Sequence, residues 1–274
     1  MFINCKGNLI DLSMPKVMGI INITPDSFYS GSRASSDRDI LSNAEKMLNE
    51  GATFLDLGAY SSRPGAVDIP VAEELKRILP AIELILKEFP QAILSIDTFR
   101  AEVARETLEA GAAIINDISA GKLDREMLPL IAEYQIPYIM MHMKGTPQTM
   151  KELNQYDDLT ADILFYFSER IRAARDLGIN DLIVDPGFGF AKNTAQNFEL
   201  LSKLELFQSL ELPVLVGVSR KSMIWKKLDI SANEALNGTS VLNTAAILKG
   251  AGILRVHDVK EAMQTIKLTA ELIN

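Results

Sequence analysis

Eight times in 274 residues a short apolar run gives way to a stretch with helical spacing, and that alternation leaves few folds open. The first run, residues 17–23, is almost unbroken, with Val17, Met18, Ile20, Ile21 and Ile23. Parallel strands covered by helices on both faces carry such continuous apolar stretches. Thr24-Pro25-Asp26-Ser27 ends the run, because proline fixes φ, removes a donor and pushes its predecessor out of the helical region. Later strands are expected at 53–57, 92–96, 113–115, 137–141, 182–184, 214–218 and 253–254. Helices are expected at 37–49, capped by Asp37, and at 71–88, 100–110, 124–134, 157–177, 194–207 and 259–272, with helical sequence up to residue 249 broken near 229–231. Strands alternating with helices imply a parallel sheet, and eight such units match an α/β (β/α)8 TIM barrel. An open doubly wound sheet usually has fewer strands at this length. Residues 2–12 read as a short N-terminal hairpin turning at Lys6-Gly7-Asn8, placed to cover the barrel bottom. No linker divides the chain, so residues 1–274 are expected to form a single domain.

Composition narrows the function. A net charge of −8 argues against a nucleic-acid surface. Cys5 is the only cysteine, which excludes an internal disulfide and disfavours a thiolate metal site. The N-terminus lacks the pattern of a signal peptide, and no run reaches membrane-spanning length, so a cytoplasmic protein with no membrane or nucleic-acid partner is expected.

Catalytic groups in such barrels sit at the C-terminal ends of the strands. Those ends carry Asn22, Asp56, Asp97, Asn116, His142, Asp185, Lys221 and Arg255. Taken singly, Asp56, Thr98 and Asp117 read best as capping or turn residues. The whole set does not, because capping calls for neither Lys221 and Arg255 nor two carboxamides. Asp97, Asn116 and Asp185 offer acceptors suited to a heterocycle rich in N–H donors. Arg63, Lys221, Arg255 and His257 offer positive charge or donors for an anion, a cluster that stands out in an acidic protein. Arg220 and Lys226 read instead as surface charges. The stretch 185–192 is Asp-Pro-Gly-Phe-Gly-Phe-Ala-Lys, whose glycines permit close backbone approach and whose Phe190 can wall an aromatic slot. Met140 is open between covering a flat ligand and packing in the core. Asn22 with a diphosphate would suit Mg2+, which prefers oxygen ligands and binds through phosphates.

In order, Met18-Gly19-Ile20-Ile21-Asn22-Ile23-Thr24-Pro25-Asp26-Ser27-Phe28, Ser61-Ser62-Arg63-Pro64-Gly65-Ala66, Ile96-Asp97-Thr98, Ile115-Asn116-Asp117, Asp185-Pro186-Gly187-Phe188-Gly189, Ser219-Arg220-Lys221-Ser222 and Arg255-Val256-His257-Asp258 resemble the signatures of the dihydropteroate synthase family. The resemblance covers almost the whole chain. It implies condensation of 6-hydroxymethyl-7,8-dihydropterin diphosphate with p-aminobenzoate, giving 7,8-dihydropteroate and diphosphate by a dissociative route. By similarity, Asp97, Asn116, Met140, Asp185, Phe190 and Lys221 would hold the pterin. Asn22, Arg63, Arg255 and His257 would hold the diphosphate, with Mg2+ at Asn22. Ser62, Arg63, Pro64, Phe190, Lys221 and Ser222 would surround p-aminobenzoate. Asn22, Arg63, Asp97, Lys221, Arg255 and His257 would carry the catalysis, in a homodimer joined through the late helices. The chain departs from the family where Ala59-Tyr60 replaces a common Gly-Glu, Ser62 a threonine, Tyr29-Ser30-Gly31-Ser32 a common Ser-Asp-Gly-Gly, and Ala191 a frequent glycine. A corrinoid-linked methyltransferase, which has no diphosphate to hold, and a non-catalytic pterin-binding relative are the rival readings.

Overall fold

A computed structural model describes residues 1–23, 33–61 and 68–273. Strands β1 (Phe2–Cys5) and β2 (Asn8–Asp11) pair antiparallel as the hairpin. The barrel follows with β3 (Lys16–Asn22), β4 (Phe54–Gly58), β5 (Ile93–Asp97), β6 (Ile114–Asp117), β7 (Tyr138–Met141), β8 (Leu182–Asp185), β9 (Val214–Val216) and β10 (Ala251–Val256). These eight strands are parallel and close in the order β10-β3-β4-β5-β6-β7-β8-β9. The connecting helices are α1 (Arg33–Asn49), α2 (Val71–Glu88), α3 (Ala101–Glu109), α4 (Met127–Tyr134), α5 (Leu159–Asp176), α6 (Thr194–Ser202), α7 (Ser222–Leu228), α8 (Leu236–Leu248) and α9 (Val259–Ile273).

Two apolar layers hold this together, and strand alternation separates them. Outward residues such as Val17, Leu55, Ile96, Ile115, Met140, Val184 and Leu254 pack under the helices. Inward residues Met18, Phe54, Ile114, Ile139, Ile183, Leu215 and Ile253 fill the lower bore. Ile3, Cys5 and Leu12 of the hairpin segment join that inner cluster and plug the bottom, as their apolar spacing requires. Cys5 is 1% exposed, and burial pushes its thiol up to about 12, which leaves it an inert packing residue. Above the inner apolar layer the same faces of the strands turn polar.

Two boundaries differ from expectation. Helix α1 starts four residues before Asp37, so Asp37 lies within the helix and does not cap it. The helix expected over 194–207 breaks after Ser202 into a 3-10 turn, Leu204–Leu210. The tighter winding brings residues three apart onto one side. Leu204 and Phe207, both fully buried, use that spacing to enter the core.

Phe54 is the largest side chain in the inner layer, with no exposed surface. Phe54→Ala is expected to destabilise the fold by about 3–5 kcal/mol, as truncation of a buried aromatic leaves a cavity. Chemical denaturation checks this, and a loss below 1 kcal/mol would show that the bore collapses around the gap.

Candidate active site

The alternation that sends Met18 and Phe54 inward also sends Asn22 and Asp56 inward, higher in the bore. The same register places Ser95 and Asp97 from β5, Asn116 from β6, Asp185 from β8 and Arg255 from β10 around the mouth. Six of the eight strands therefore deliver polar atoms to one face.

Asp56 is the centre of this layer. It is fully buried. Its Oδ1 accepts from Ser95 Oγ at 2.6 Å, and its Oδ2 accepts from Arg255 Nε at 2.6 Å and Asn116 Nδ2 at 3.1 Å. A buried carboxylate survives only when paired and hydrogen-bonded, and here both oxygens are satisfied. The expected capping role of Asp56 is thus overturned. Thr98 and Asp117 do serve local structure. Thr98 Oγ1 donates to Glu74 and accepts the Arg100 N–H. Asp117 takes the amides of Ser119 and Gly121, the Ser119 hydroxyl and the Tyr138 hydroxyl.

The Asp56 contact fixes the polarity of Asn116. With one Nδ2 hydrogen committed to Asp56, the carboxamide oxygen faces the mouth as an acceptor for a ligand. Arg255 also reaches Asp97, donating from an Nη atom to Oδ2 at 2.9 Å. Burial works against the Arg255 charge, but Asp56 and Asp97 outweigh it and hold its pKa above the ordinary guanidinium range. For Asp97, burial is the largest influence and lifts the carboxyl to about 7, against the pull of Arg255. Burial likewise raises Asp185, opposed by Lys221. It lowers Lys221 to about 8, with Asp185 opposing. The mouth therefore holds one acid, Asp97, and one base, Lys221, poised near neutrality, a pattern concentrated at functional sites.

Lys221 lies immediately before α7. Its ammonium donates to the Phe188 carbonyl and sits 5.0 Å from the centre of the half-buried Phe190 ring. Ser222 opens α7 beside it, half-buried. His257 follows β10, where its backbone N–H donates to Ser219 Oγ at 3.2 Å, with that oxygen 3.1 Å from Nδ1. Arg220 makes a two-pronged ion pair with Asp258 at 2.8 and 2.7 Å, in keeping with its expected salt-bridge role.

Some expected residues fall elsewhere. Met140 has no exposed surface and packs on the helix-facing side of β7, in the core. Its neighbour Met141, paired with Asp185, faces the mouth and clusters with Ile118, Met143, Met150 and, at the edge, Phe190. Counting two residues on from the inward Ile139 identifies it. Ser62, Arg63 and Pro64 lie outside the described residues, as does the stretch 24–32. His142 is buried and contacts Lys192 Nζ at 3.0 Å through Nδ1. Tyr60, where the expected carboxylate is missing, accepts a hydrogen bond from Gln148 at 3.0 Å and meets Phe99 edge-on. Arg100 lies over the Tyr60 ring and takes its carboxylate partners from Glu74 and Asp68. Ala191 adopts φ +48°, the left-handed conformation that glycine takes without strain.

For a metal, the fit is to an ion held mainly by its ligand. Among the described residues no group of three or more His, Cys, Asp or Glu side chains could form a cage. Asn22, the last residue of β3, is half-buried and makes no side-chain hydrogen bond to a described residue. One neutral oxygen donor beside an anion site suits Mg2+, which keeps waters and binds through phosphates.

Comparison with known proteins agrees with this geometry. The family model described as pterin binding enzyme matches residues 18–257. The dihydropteroate synthase of Escherichia coli K12 is 44% identical over 265 residues, covering 96% of this chain and 93% of that protein. The Bacillus subtilis 168 enzyme of the same name is 40% identical over 260 residues, covering 94% and 88%. Among solved structures, Yersinia pestis dihydropteroate synthase with a sulfonamide drug matches at TM-score 0.92 and 39% identity, covering 100% of this chain and 99% of that one. The Xanthomonas albilineans enzyme with 4-aminobenzoic acid matches at TM-score 0.92 and 37% identity, covering 99% and 98%. With acceptors and cations gathered at the mouth of the same barrel, the chain belongs to the pterin-binding, dihydropteroate synthase family of transferases.

Proposed function

We propose that the mouth joins 6-hydroxymethyl-7,8-dihydropterin diphosphate to p-aminobenzoate, giving 7,8-dihydropteroate and diphosphate. The observation that carries this is the division of the site. Asp97, Asn116 and Asp185 present acceptors, and Lys221, Arg255 and His257 stand beside them. A carboxylate facing an amino group and an adjacent ring N–H accepts two hydrogen bonds at once, as a pterin offers. The X. albilineans relative was solved with 4-aminobenzoic acid, which supports the second substrate.

The order of bond changes follows from the charges. The pterin methylene–oxygen bond breaks, and its electron pair leaves with the diphosphate. Arg255 and His257 stabilise the departing charge, and Arg63 is assigned the same task by sequence. Asn22 would help to hold Mg2+, which would supply further neutralisation of the diphosphate oxygens. The methylene becomes cationic and delocalises into the electron-rich ring, with ionised Asp97 as its anionic neighbour. The arylamine nitrogen then forms the new C–N bond and releases its proton to solvent. Phe190, Lys221 and Ser222, with Ser62 and Pro64 by sequence, enclose the arylamine. Trapping of a pterin cation by an added nucleophile without p-aminobenzoate supports this route, whereas bond cleavage strictly dependent on the amine argues for direct displacement.

Val241 and Leu248 on α8 and Leu268 and Leu272 on α9 are exposed and apolar, and α8 packs on α9. This face supports a homodimer through the late helices. Light scattering is expected to give twice the chain mass, and a monomer at micromolar concentration refutes it. A cytoplasmic location belongs to the same proposal. Among the described residues no helix is long and apolar enough to cross a membrane.

Mixing both substrates with Mg2+ is expected to release diphosphate and form dihydropteroate in equal amounts. Tight pterin binding without turnover would favour a non-catalytic binding protein. Asn22→Ala is expected to raise the Mg2+ requirement and cut turnover at least tenfold with the fold intact; unchanged activity removes Asn22 from the metal site.

The pH profile carries a second test. Asp97 must be ionised to accept from the pterin, so kcat/KM for the pterin substrate is expected to fall as pH drops through about 7. Lys221 must be protonated, so it also falls as pH rises through about 8. The narrow bell reports the linked pair. Asp97→Asn is expected to remove the acid limb, and an acid limb that survives assigns it elsewhere.

A further inference from the structure

Lys192 is a buried cation to which the proposed reaction gives no task. It is 9% exposed, and its ammonium has three partners. Nζ lies 3.0 Å from each of the Gly187 carbonyl, the Phe190 carbonyl and His142 Nδ1. An ammonium has three N–H bonds, and three acceptors leave none for a substrate. Burial is the main reason its pKa falls to about 7, with Asp185 opposing.

The partners share one loop and its neighbouring strand end. Between β8 and α6 the chain makes a tight arc with positive φ at Gly187 (+75°), Gly189 (+81°) and Ala191 (+48°). A side chain at Gly187 would collide with the His142 carbonyl oxygen, so the arc lies directly against the end of β7. Such a path is held by the groups that satisfy its backbone. Asp185 accepts from the Gly187 N–H at 2.8 Å, Asn197 accepts from the Gly189 N–H at 2.6 Å, and Tyr156 donates to the Ala191 carbonyl at 2.9 Å. Lys192 alone draws two of the arc's carbonyls to one point and ties both to β7. The arc also carries the Phe190 ring and the Phe188 carbonyl that meet Lys221.

We propose that Lys192 is a positioning residue, whose three hydrogen bonds fix the 187–190 arc so that Phe190 and Lys221 form the wall of the pterin slot. This rests on the proposed function for the identity of the ligand. The proton arrangement follows from the same contacts. Lys192 donates to Nδ1, so His142 is neutral with its proton on Nε2. Burial, then the charges of Lys192, Lys144 and Lys122, hold its pKa well below the usual histidine value. The ring is further fixed edge-on to Tyr166 at 4.9 Å.

The chain has two histidines, so 15N-imidazole spectra can resolve this arrangement. The test compares wild type, Lys192→Met and Lys192→Arg by such spectra and by calorimetry with the pterin diphosphate and Mg2+. One histidine of the wild type is expected to show an unprotonated, hydrogen-bonded Nδ1 that does not titrate between pH 5.5 and 8 (roughly the range in which free histidine titrates). In Lys192→Met that signal is expected to shift, and pterin affinity to fall at least tenfold, in protein that melts cooperatively. Lys192→Arg, which keeps the charge but cannot place three donors at one point, is expected to lose affinity too, and serves where the methionine variant does not fold. A folded variant with affinity within twofold of wild type overturns the inference, as does a wild-type His142 that titrates normally. Wild type that binds no pterin overturns the proposed function itself, a result separate from loss confined to the variants.

Discussion

Asp56 sits where three strands must agree. Its carboxylate lies just above the apolar bore and can be there only because Ser95, Asn116 and Arg255 all turn toward it. Leaving such a charge unpaired costs about 3–5 kcal/mol, so its partners have little freedom. That constraint passes upward. The Asn116 amide group is committed below, which exposes its oxygen above. The Arg255 guanidinium is held from one side, which places it against Asp97. A structural need in the core thus fixes the donor and acceptor pattern of the mouth.

The second constraint is backbone. The arc after β8 takes left-handed conformations at three of its residues and is held by side chains on every flank. Lys192 and Lys221 grip it from opposite ends, the first fully occupied and the second with one carbonyl and an aromatic face. The same residue type therefore serves anchoring in one place and ligand contact in the other, and burial with partner count separates the two roles.

The barrel and hairpin were legible because apolar periodicity follows directly from burial on two faces. The strand-end chemistry was legible as a set, since few structural needs call for Asp97, Asn116, Asp185, Lys221 and Arg255 together. What escaped was direction. Met140 and Met141 are adjacent, and one step along a strand exchanges the core for the mouth. Asp56 looked like a cap because capping is common, although its apolar neighbours Leu55 and Leu57 face the helices and imply that it faces the bore. Lys192 gave no signal, because its partners are two carbonyls and a histidine 50 residues away. The start of α1 was misplaced because Asp37 resembled a cap within a helix that begins earlier.

The dependence of the mouth on Asp56 is the central claim, and Asp56→Asn tests it with almost no change in shape. The variant keeps the volume but removes the charge that orients Arg255. Calorimetric titration of the folded variant with the pterin diphosphate and Mg2+ is predicted to show at least a tenfold loss of affinity relative to wild type. Affinity within twofold of wild type, in protein of native thermal stability, would contradict the account.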